Sequence, residues 1–408
     1  MLAKSSTELV RQQNSALVLS ALRRHGRLAH TEISDATGLA SATVSAITAD
    51  LERARIIEKS EQQAVSGRGR PRVLFSQRRG CGYLVTIIIS SDSIQYSLVD
   101  YAGTLLDRFT EPRGEGGTAA FLAAISAALT RAATRSRIDP ARVLLVSISS
   151  KGLAHPAAPV LVWSPVFGAQ PVDFSQALTD GWSAKVILNN ETLLVAGALL
   201  EREAKRKGEG EPALAALSLG HSIGLGIARR GGAGLPEISA PNFGHMLHMP
   251  NGGLCRCGAR GCIEAYAGFY AILRTAFEVP MDTIPAKFVP IAEIDKIATG
   301  ARQGNRMAQL AFRHAGVALG NGLSRLLSLH GHMPVFITGP GTRHYDLLQA
   351  GMEEGLSQTQ VVRLGGMPSL LVVPDEPSLV FEGHLNLAFS IIDQDIIASR
   401  PHMQAAGE

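Results

Sequence analysis

The chain has 408 residues, 46% of them hydrophobic, with 42 glycines, four cysteines and a formal net charge of +4. That length exceeds one ordinary core and predicts two or three domains. The composition excludes a disordered chain, and no apolar run reaches the roughly 18 residues a membrane helix needs. The N-terminus lacks the apolar stretch and cleavage site of a secretion signal. Four cysteines over this length are no disulfide scaffold, so the expected location is the cytoplasm, with thiols reduced.

The charge is uneven. Residues 1–80 carry 13 Lys and Arg against 7 Asp and Glu, a net of +6, which leaves about −2 on the remainder. A small basic segment attached to a neutral-to-acidic one is the footprint of a nucleic-acid module. A solvated basic face has the same composition, so the elements must decide. Leu17, Val18, Ala21 and Leu22 recur at helical spacing, and Gly26 ends that helix. A second helix follows Thr31 as its N-cap and turns Ile33 and Ala36 inward. Gly38-Leu39-Ala40 makes a turn, and Ser41 caps a third helix whose buried face is Val44, Ile47 and Leu51.

This leaves Ser41, Thr43, Ser45 and Thr48 facing solvent. Small polar side chains let a helix enter the major groove closely and bond to base edges or phosphates. Ile56 and Ile57 then open a strand, and Val73, Leu74 and Phe75 return as another. Between them Ser66-Gly67-Arg68-Gly69-Arg70-Pro71-Arg72 projects three arginines. A hairpin of this kind beside a recognition helix is a wing, with Arg68, Arg70 and Arg72 reaching phosphates or a narrow minor groove. Residues 1–80 are therefore expected to form a winged helix-turn-helix domain that binds double-stranded DNA.

From Tyr83 the pattern changes. Strand runs at Leu84–Ile89, Val143–Ile148, Val186–Leu188, Ala215–Leu219 and Val335–Thr338 alternate with helices such as Ala119–Arg135 and Thr192–Lys207. This predicts an α/β domain over residues 81–408, built as two similar lobes with a cleft between them.

The sharpest chemical signal is Cys255-Arg256-Cys257-Gly258-Ala259-Arg260-Gly261-Cys262, with His245 ten residues upstream. One imidazole and three thiolates complete a tetrahedral set for Zn²⁺, and a closed shell makes the metal structural rather than catalytic. C-x-C spacing is poor disulfide geometry. Cys81 stands apart and reads as a small buried residue.

His245, the C-x-C-G-x-x-G-C run and Glu264 resemble the zinc signature of the ROK family, which joins repressors, unassigned reading frames and sugar kinases. Gly220-His221-Ser222-Ile223-Gly224-Leu225-Gly226 resembles that family's glycine-rich phosphate-side loop. Gly316–Leu329 and Thr338-Gly339-Pro340-Gly341 resemble its late helix and glycine turn, and the Gly-Arg-Gly-Arg-Pro wing resembles the arm of its repressor branch. The resemblance covers essentially the whole chain. It implies a two-lobed actin-like, ribonuclease H-like sugar-kinase fold behind the DNA reader.

The same resemblance discriminates regulator from enzyme. A sugar kinase needs a base for the hydroxyl proton and a loop that holds ATP phosphates. Family kinases place the base as the Asp of an Asn-Asp pair, which here reads Asn189-Asn190, and an amide accepts no proton near neutral pH. Glu191 is next in sequence, but a helical start turns it about 100° away. The first phosphate loop of the family falls on Ile88-Ile89-Ser90-Ser91-Asp92-Ser93, without its paired glycines and Lys. No phosphoryl transfer is therefore expected.

Carried over by resemblance, the ligand-holding positions are Asn189, Asn190, Asn242, His245 and Glu264, with Asn242 standing where the kinases have Glu. They imply a sugar or sugar-derivative effector, and two lost carboxylates also suit a ligand with negative charge. His245 is expected to give one nitrogen to the metal and the other to the ligand. A homodimer would present two arms to the half-sites of a near-palindromic operator, and ligand would shift them. Two alternatives stay open: an active kinase with an appended DNA arm, and an interaction protein whose second domain only dimerises.

Overall fold

The computed structural model describes residues 2–62, 72–114, 116–178, 181–207, 212–231 and 236–399. Helix α1 (Leu2–His25) buries Val18, Leu19 and Leu22 and carries Leu17 outward. Helices α2 (His30–Thr37) and α3 (Ser41–Arg53) are joined through Gly38, whose φ of 69° lies where only glycine is unstrained. Several local expectations are corrected. Thr31 lies inside α2, and the entry is at Ala29, whose N–H donates to Glu32 Oε2 at 2.8 Å. Ser41 is the first residue of α3 rather than its cap, and no side chain caps that helix. Ala36 faces solvent, so Ile33 is the buried anchor of α2. Strands β1 (Ile57–Gln62) and β2 (Arg72–Gln77) pair antiparallel, with Gln62 opposite Arg72. The turn of this wing, with Arg68 and Arg70, lies outside the described residues.

The first lobe holds β3 (Tyr83–Ile89), β4 (Ser93–Asp100), β5 (Leu105–Pro112), α4 (Thr118–Ser136) and β6 (Val143–Ser150). A small sheet of β7 (Leu153–Ala154), β8 (Val160–Trp163) and β9 (Val172–Asp173) precedes β10 (Lys185–Asn190). Helix α5 (Glu191–Lys207) follows β10 without a break.

The second lobe holds β11 (Ala213–Ser218), β12 (Gly224–Arg230), β13 (Pro236–Ser239), α6 (Glu264–Ala267), α7 (Phe269–Ala276), α8 (Ile291–Arg302), α9 (Arg306–His330), β14 (Val335–Thr338), α10 (Tyr345–Ser357), α11 (Gln360–Gly365) and β15 (Leu370–Val372). The sheets run β10-β6-β3-β4-β5 and β13-β12-β11-β14-β15. In each, three consecutive strands form an antiparallel meander, and two later strands join in parallel beyond the first. The lobes therefore repeat one topology, as the alternating pattern predicted, although no sequence repeat announces it.

The last helix, α12 (Glu376–Ala398), returns to the first lobe. Its His384 is fully buried, with one ring nitrogen 2.8 Å from Ser147 Oγ and the other 2.9 Å from Ser149 Oγ. Burial drives its pKa down to about 3, so the ring is neutral. Farther along, Asp393 receives Arg23 of α1 through two hydrogen bonds of 2.8 and 2.7 Å. A single apolar cluster takes in Leu22, Val44 and Phe75 from the N-terminal module, Leu84 and Leu145 from the first lobe, and Phe389 from α12. The domain boundary that we propose at residue 80 therefore separates two architectures over a shared core. No helix among the described residues is long and apolar enough to cross a membrane.

Candidate DNA-reading helix and ligand pocket

On α3, Ser41 and Ser45 are exposed and Thr43 is half-buried. Thr48 is not available to DNA: it is 1% exposed, and its hydroxyl donates to Val44 O at 2.9 Å and meets His30 Nε2 at 2.8 Å. Its place on the outer surface is taken by Ala42, Ala46 and Ala49, so the exposed stripe is smaller and less polar than expected. Of the wing arginines only Arg72 is described, and its Nη2 lies 2.5 Å from Glu32 of α2. The bond from the Ala29 N–H and then Arg72 hold that Glu32 carboxyl below its usual pKa. The pair is solvent-exposed, so phosphate can displace it at little cost.

A cavity of about 310 Å³ opens where the lobes meet, at the small end of ligand pockets (about 300–1,000 Å³) and of a size for one sugar ring. Lys151, Trp163, Asn190, Thr192, Ser222, Asn242, His245 and Glu264 contribute to its lining. Asn189, one residue earlier on β10, is absent from the lining, as the two-residue period of a strand dictates. Asn190 is held on both sides of its amide. Its Nδ2 donates to Gly152 O at 2.8 Å, and its Oδ1 accepts from Thr192 N–H and Oγ1 at 3.0 and 2.8 Å. This residue caps α5 and pins the loop after β6.

Asn242 lines the cavity, and its side chain caps no helix. Glu264 is 1% exposed, and its carboxylate is already engaged. Oε2 accepts the Ile223 N–H at 3.2 Å, and Oε1 receives Arg256 Nη2 at 3.1 Å. Arg256 also reaches Ser222 Oγ at 2.9 Å and the carbonyl of His221. Glu264, expected to hold the ligand, lines the cavity and also braces the loop from 221 to 223.

Glu191 lies outside the cavity lining, as its helical position implied. Burial first, and Glu376 second, raise its pKa to about 7, against the pull of Lys151 at 3.8 Å. Burial opposes the charge of Lys151, but Glu376 and Glu191 outweigh it and raise its pKa. Burial, then Arg256 and Lys151, bring His221 down to about 4. The glycine loop proves to be the β11–β12 hairpin. A Cβ at Gly226 would fall 2.1 Å from Thr192 O, so that glycine serves the approach of α5 to the sheet. The position of the first phosphate loop is a tight β3–β4 turn closed by Ser90 N–H to Ser93 O at 2.9 Å.

Against the cavity wall, His245, Cys255, Cys257 and Cys262 place their ligand atoms within 4.8 Å of one another. Cys257 Sγ and Cys262 Sγ are 3.8 Å apart, and Cys255 Sγ is 3.5 Å from His245 Nδ1. A tetrahedral shell with metal–sulfur bonds of about 2.3 Å and metal–nitrogen bonds of about 2.0 Å has edges of about 3.8 and 3.5 Å. The observed separations fit that shell, and a disulfide at about 2.05 Å is excluded. Gly258 and Gly261, at φ 89° and 78°, make the two reversals that gather the thiols. Because Nδ1 faces Cys255, Nε2 is the ring nitrogen left for a ligand.

Lys151, Trp163 and Arg256 escaped the sequence reading. Trp163 stands edge-on to His245 at 5.4 Å between ring centres. A lysine followed by glycine just beyond a buried strand was the available signal for Lys151, and a charge between two metal cysteines was that for Arg256.

Residues 85–365 match the ROK family, and residues 14–58 match a family of winged helix-turn-helix DNA-binding domains. The chain is 23% identical over 362 residues to a xylose repressor of Caldicellulosiruptor bescii, covering 87% of this chain and 90% of that protein. It is 22% identical over 361 residues to the DNA-binding transcriptional dual regulator NagC of Escherichia coli (strain K12), covering 88% and 87%. Among solved structures, a ROK family transcriptional regulator homologous to the E. coli Mlc protein has a TM-score of 0.74 at 18% identity, covering 95% of this chain and 98% of that one. A ROK family glucokinase from Streptomyces griseus, solved with glucose and AMPPNP, has a TM-score of 0.53 at 22% identity, covering 75% and 99%. The structural likeness carries the fold, and with its family match spanning most of its length the chain belongs to the ROK family.

Proposed function

We propose that the chain is a DNA-binding transcription regulator, acting as a repressor, whose kinase-like domain holds a sugar-type effector without phosphorylating it. The observation that carries this reading is Asn190. At the position of the kinase base stands an amide whose oxygen and nitrogen are both tied to the protein itself, in a chain that also carries a winged helix-turn-helix. The relatives named as repressors support it. Trp163 contributes apolar lining, and Asn242 and His245 contribute groups able to bond hydroxyls. We assign the thiolate–imidazole cluster to structural Zn²⁺, whose closed shell leaves no position for a reacting water. The active unit is a cytoplasmic homodimer that sets two recognition helices on operator half-sites. Effector acts only through its differential affinity for the DNA-competent and DNA-released arrangements.

Titration with neutral and acidic sugars, read by calorimetry and by release of promoter DNA, tests the reading. No binding across the panel would count against it. The rival reading, a working kinase with a DNA arm, predicts ADP release from ATP and sugar. Release at background is expected here. For the wing, Arg70→Ala is expected to weaken DNA binding and to reduce the slope of log affinity against log salt by about 1. An unchanged slope would refute the wing assignment.

A further inference from the structure

Lys151 follows β6 directly, and its side chain lines the cavity. The nearest carboxylate oxygen, Glu191 Oε2, is 3.8 Å from its Nζ, at the outer edge of an ion pair. Among the described residues its ammonium donates no hydrogen bond. Three N–H groups beside a cavity with no protein acceptor need acceptors from what the cavity holds. Glu376 and Glu191 hold Lys151 charged through space, but neither accepts a hydrogen bond from it, and burial keeps the Glu191 carboxyl partly protonated near neutral pH.

The other charges of the lining are committed. Glu264 is balanced by Arg256, which also positions the loop at Ser222. His245, Cys257 and Cys262 belong to the metal cluster. Asn190 turns its oxygen to Thr192 rather than to the cavity. The cavity therefore presents one under-bonded cation and no uncommitted carboxylate.

From this we infer that the effector carries an anionic group, a carboxylate or a phosphate, and that Lys151 is the residue that selects it. The inference rests on the proposed sugar-type reading of the pocket and deepens it. A charged acceptor makes stronger hydrogen bonds to an ammonium than a hydroxyl does. It also places its charge beside a cation whose side chain is 31% exposed.

The test uses the full-length, metal-loaded protein and isothermal titration with matched probes: glucose against glucuronate, gluconate and glucose 6-phosphate, with inorganic phosphate as the bare anion. At least one acidic sugar is expected to bind about 10- to 100-fold more tightly than glucose. Lys151→Met is expected to remove that advantage while leaving metal content and far-UV dichroism unchanged, and Lys151→Arg is expected to keep most of it. The carboxylate and phosphate arms tell the two sources apart. A neutral sugar that binds as tightly as its acidic counterparts, or acidic binding indifferent to Lys151→Met and Lys151→Gln alike, would overturn the inference and leave the sugar reading standing. Silence from every sugar would overturn both.

Discussion

Cys257→Ser is expected to release the metal and to lower the unfolding midpoint of the large domain by roughly 10 °C or more. A serine hydroxyl does not replace a thiolate at this shell, and three remaining ligands hold zinc poorly. The rest of the loop is held by the backbone bridges Leu247–Cys262 and Leu254–Arg260 and by burial, so the loss is expected to be local to the domain and not to unfold the chain. Cys255 and Cys262 are buried in the same apolar cluster as Ile263, Tyr266 and Tyr270. Tyr270 Oη donates to Cys255 Sγ at 3.5 Å, and Arg274 donates to the carbonyls of Leu254 and Met281 at 3.1 and 3.2 Å. Without the metal, three thiols and an imidazole are joined only by weak contacts such as Cys257 Sγ to Cys262 Sγ at 3.8 Å, and the bonds that tie the four side chains to one point are lost. Because His245, Cys257 and Cys262 also wall the cavity, ligand binding is expected to fall with the metal. Elemental analysis beside a melting curve checks this. A full metal complement with unchanged melting would show that the ligand set is wrong.

Asp393→Ala is expected to cost about 3 kcal/mol and to loosen the DNA-reading module from the rest of the chain. Arg23 and Asp393 have side chains only 17% and 7% exposed. Arg23 Nη1 also donates to Tyr101 O at 2.8 Å, and its guanidinium lies 3.9 Å from the centre of the Phe389 ring. Tyr101 Oη donates to the same carboxylate at 2.6 Å. Burial opposes the Arg23 charge, yet Asp393 and then Tyr101 hold its pKa above the ordinary value. Removing the carboxylate therefore leaves a cation and a hydroxyl buried without their acceptor, which costs more than the pair contributed. Urea unfolding should show an earlier first transition, and hydrogen exchange should rise in α1. A double change of Arg23→Met with Asp393→Leu should recover much of the loss. Unchanged exchange in Asp393→Ala would mean that this joint does not hold the module.

What the sequence made legible was local. Three cysteines within eight residues and a histidine ten before them read as a candidate ligand set whatever the rest of the fold, and the structure brings their ligand atoms within 4.8 Å of one another. Val44, Ile47 and Leu51 mark a buried helical face, and the strand runs mark β3, β6 and β10 of one sheet and β11 and β14 of the other, but not β4, β5, β12, β13 or β15. What stayed hidden depends on partners far along the chain. Thr48 is the exception, a local misreading: it falls four residues after Val44 and three before Leu51, on the buried face itself, where its hydroxyl bonds Val44 O and meets His30. Asn189 was read with Asn190 as a pair, but a strand sends neighbours to opposite faces. The bond of Arg256 to Glu264, eight residues later, exists only once the loop folds back. Arg23 and Asp393 are 370 residues apart, and no pattern in either neighbourhood announces the clamp.

The central claim, a DNA reader governed by a kinase-shaped domain, is tested most directly by mapping where the chain sits on its own genome, beside a Ser45→Glu variant. Ser45 is exposed on α3, so a carboxylate there would face phosphate. Discrete near-palindromic sites for the native chain, lost in Ser45→Glu, are the predicted result. No enriched sites, or sites indifferent to that substitution, would contradict the account.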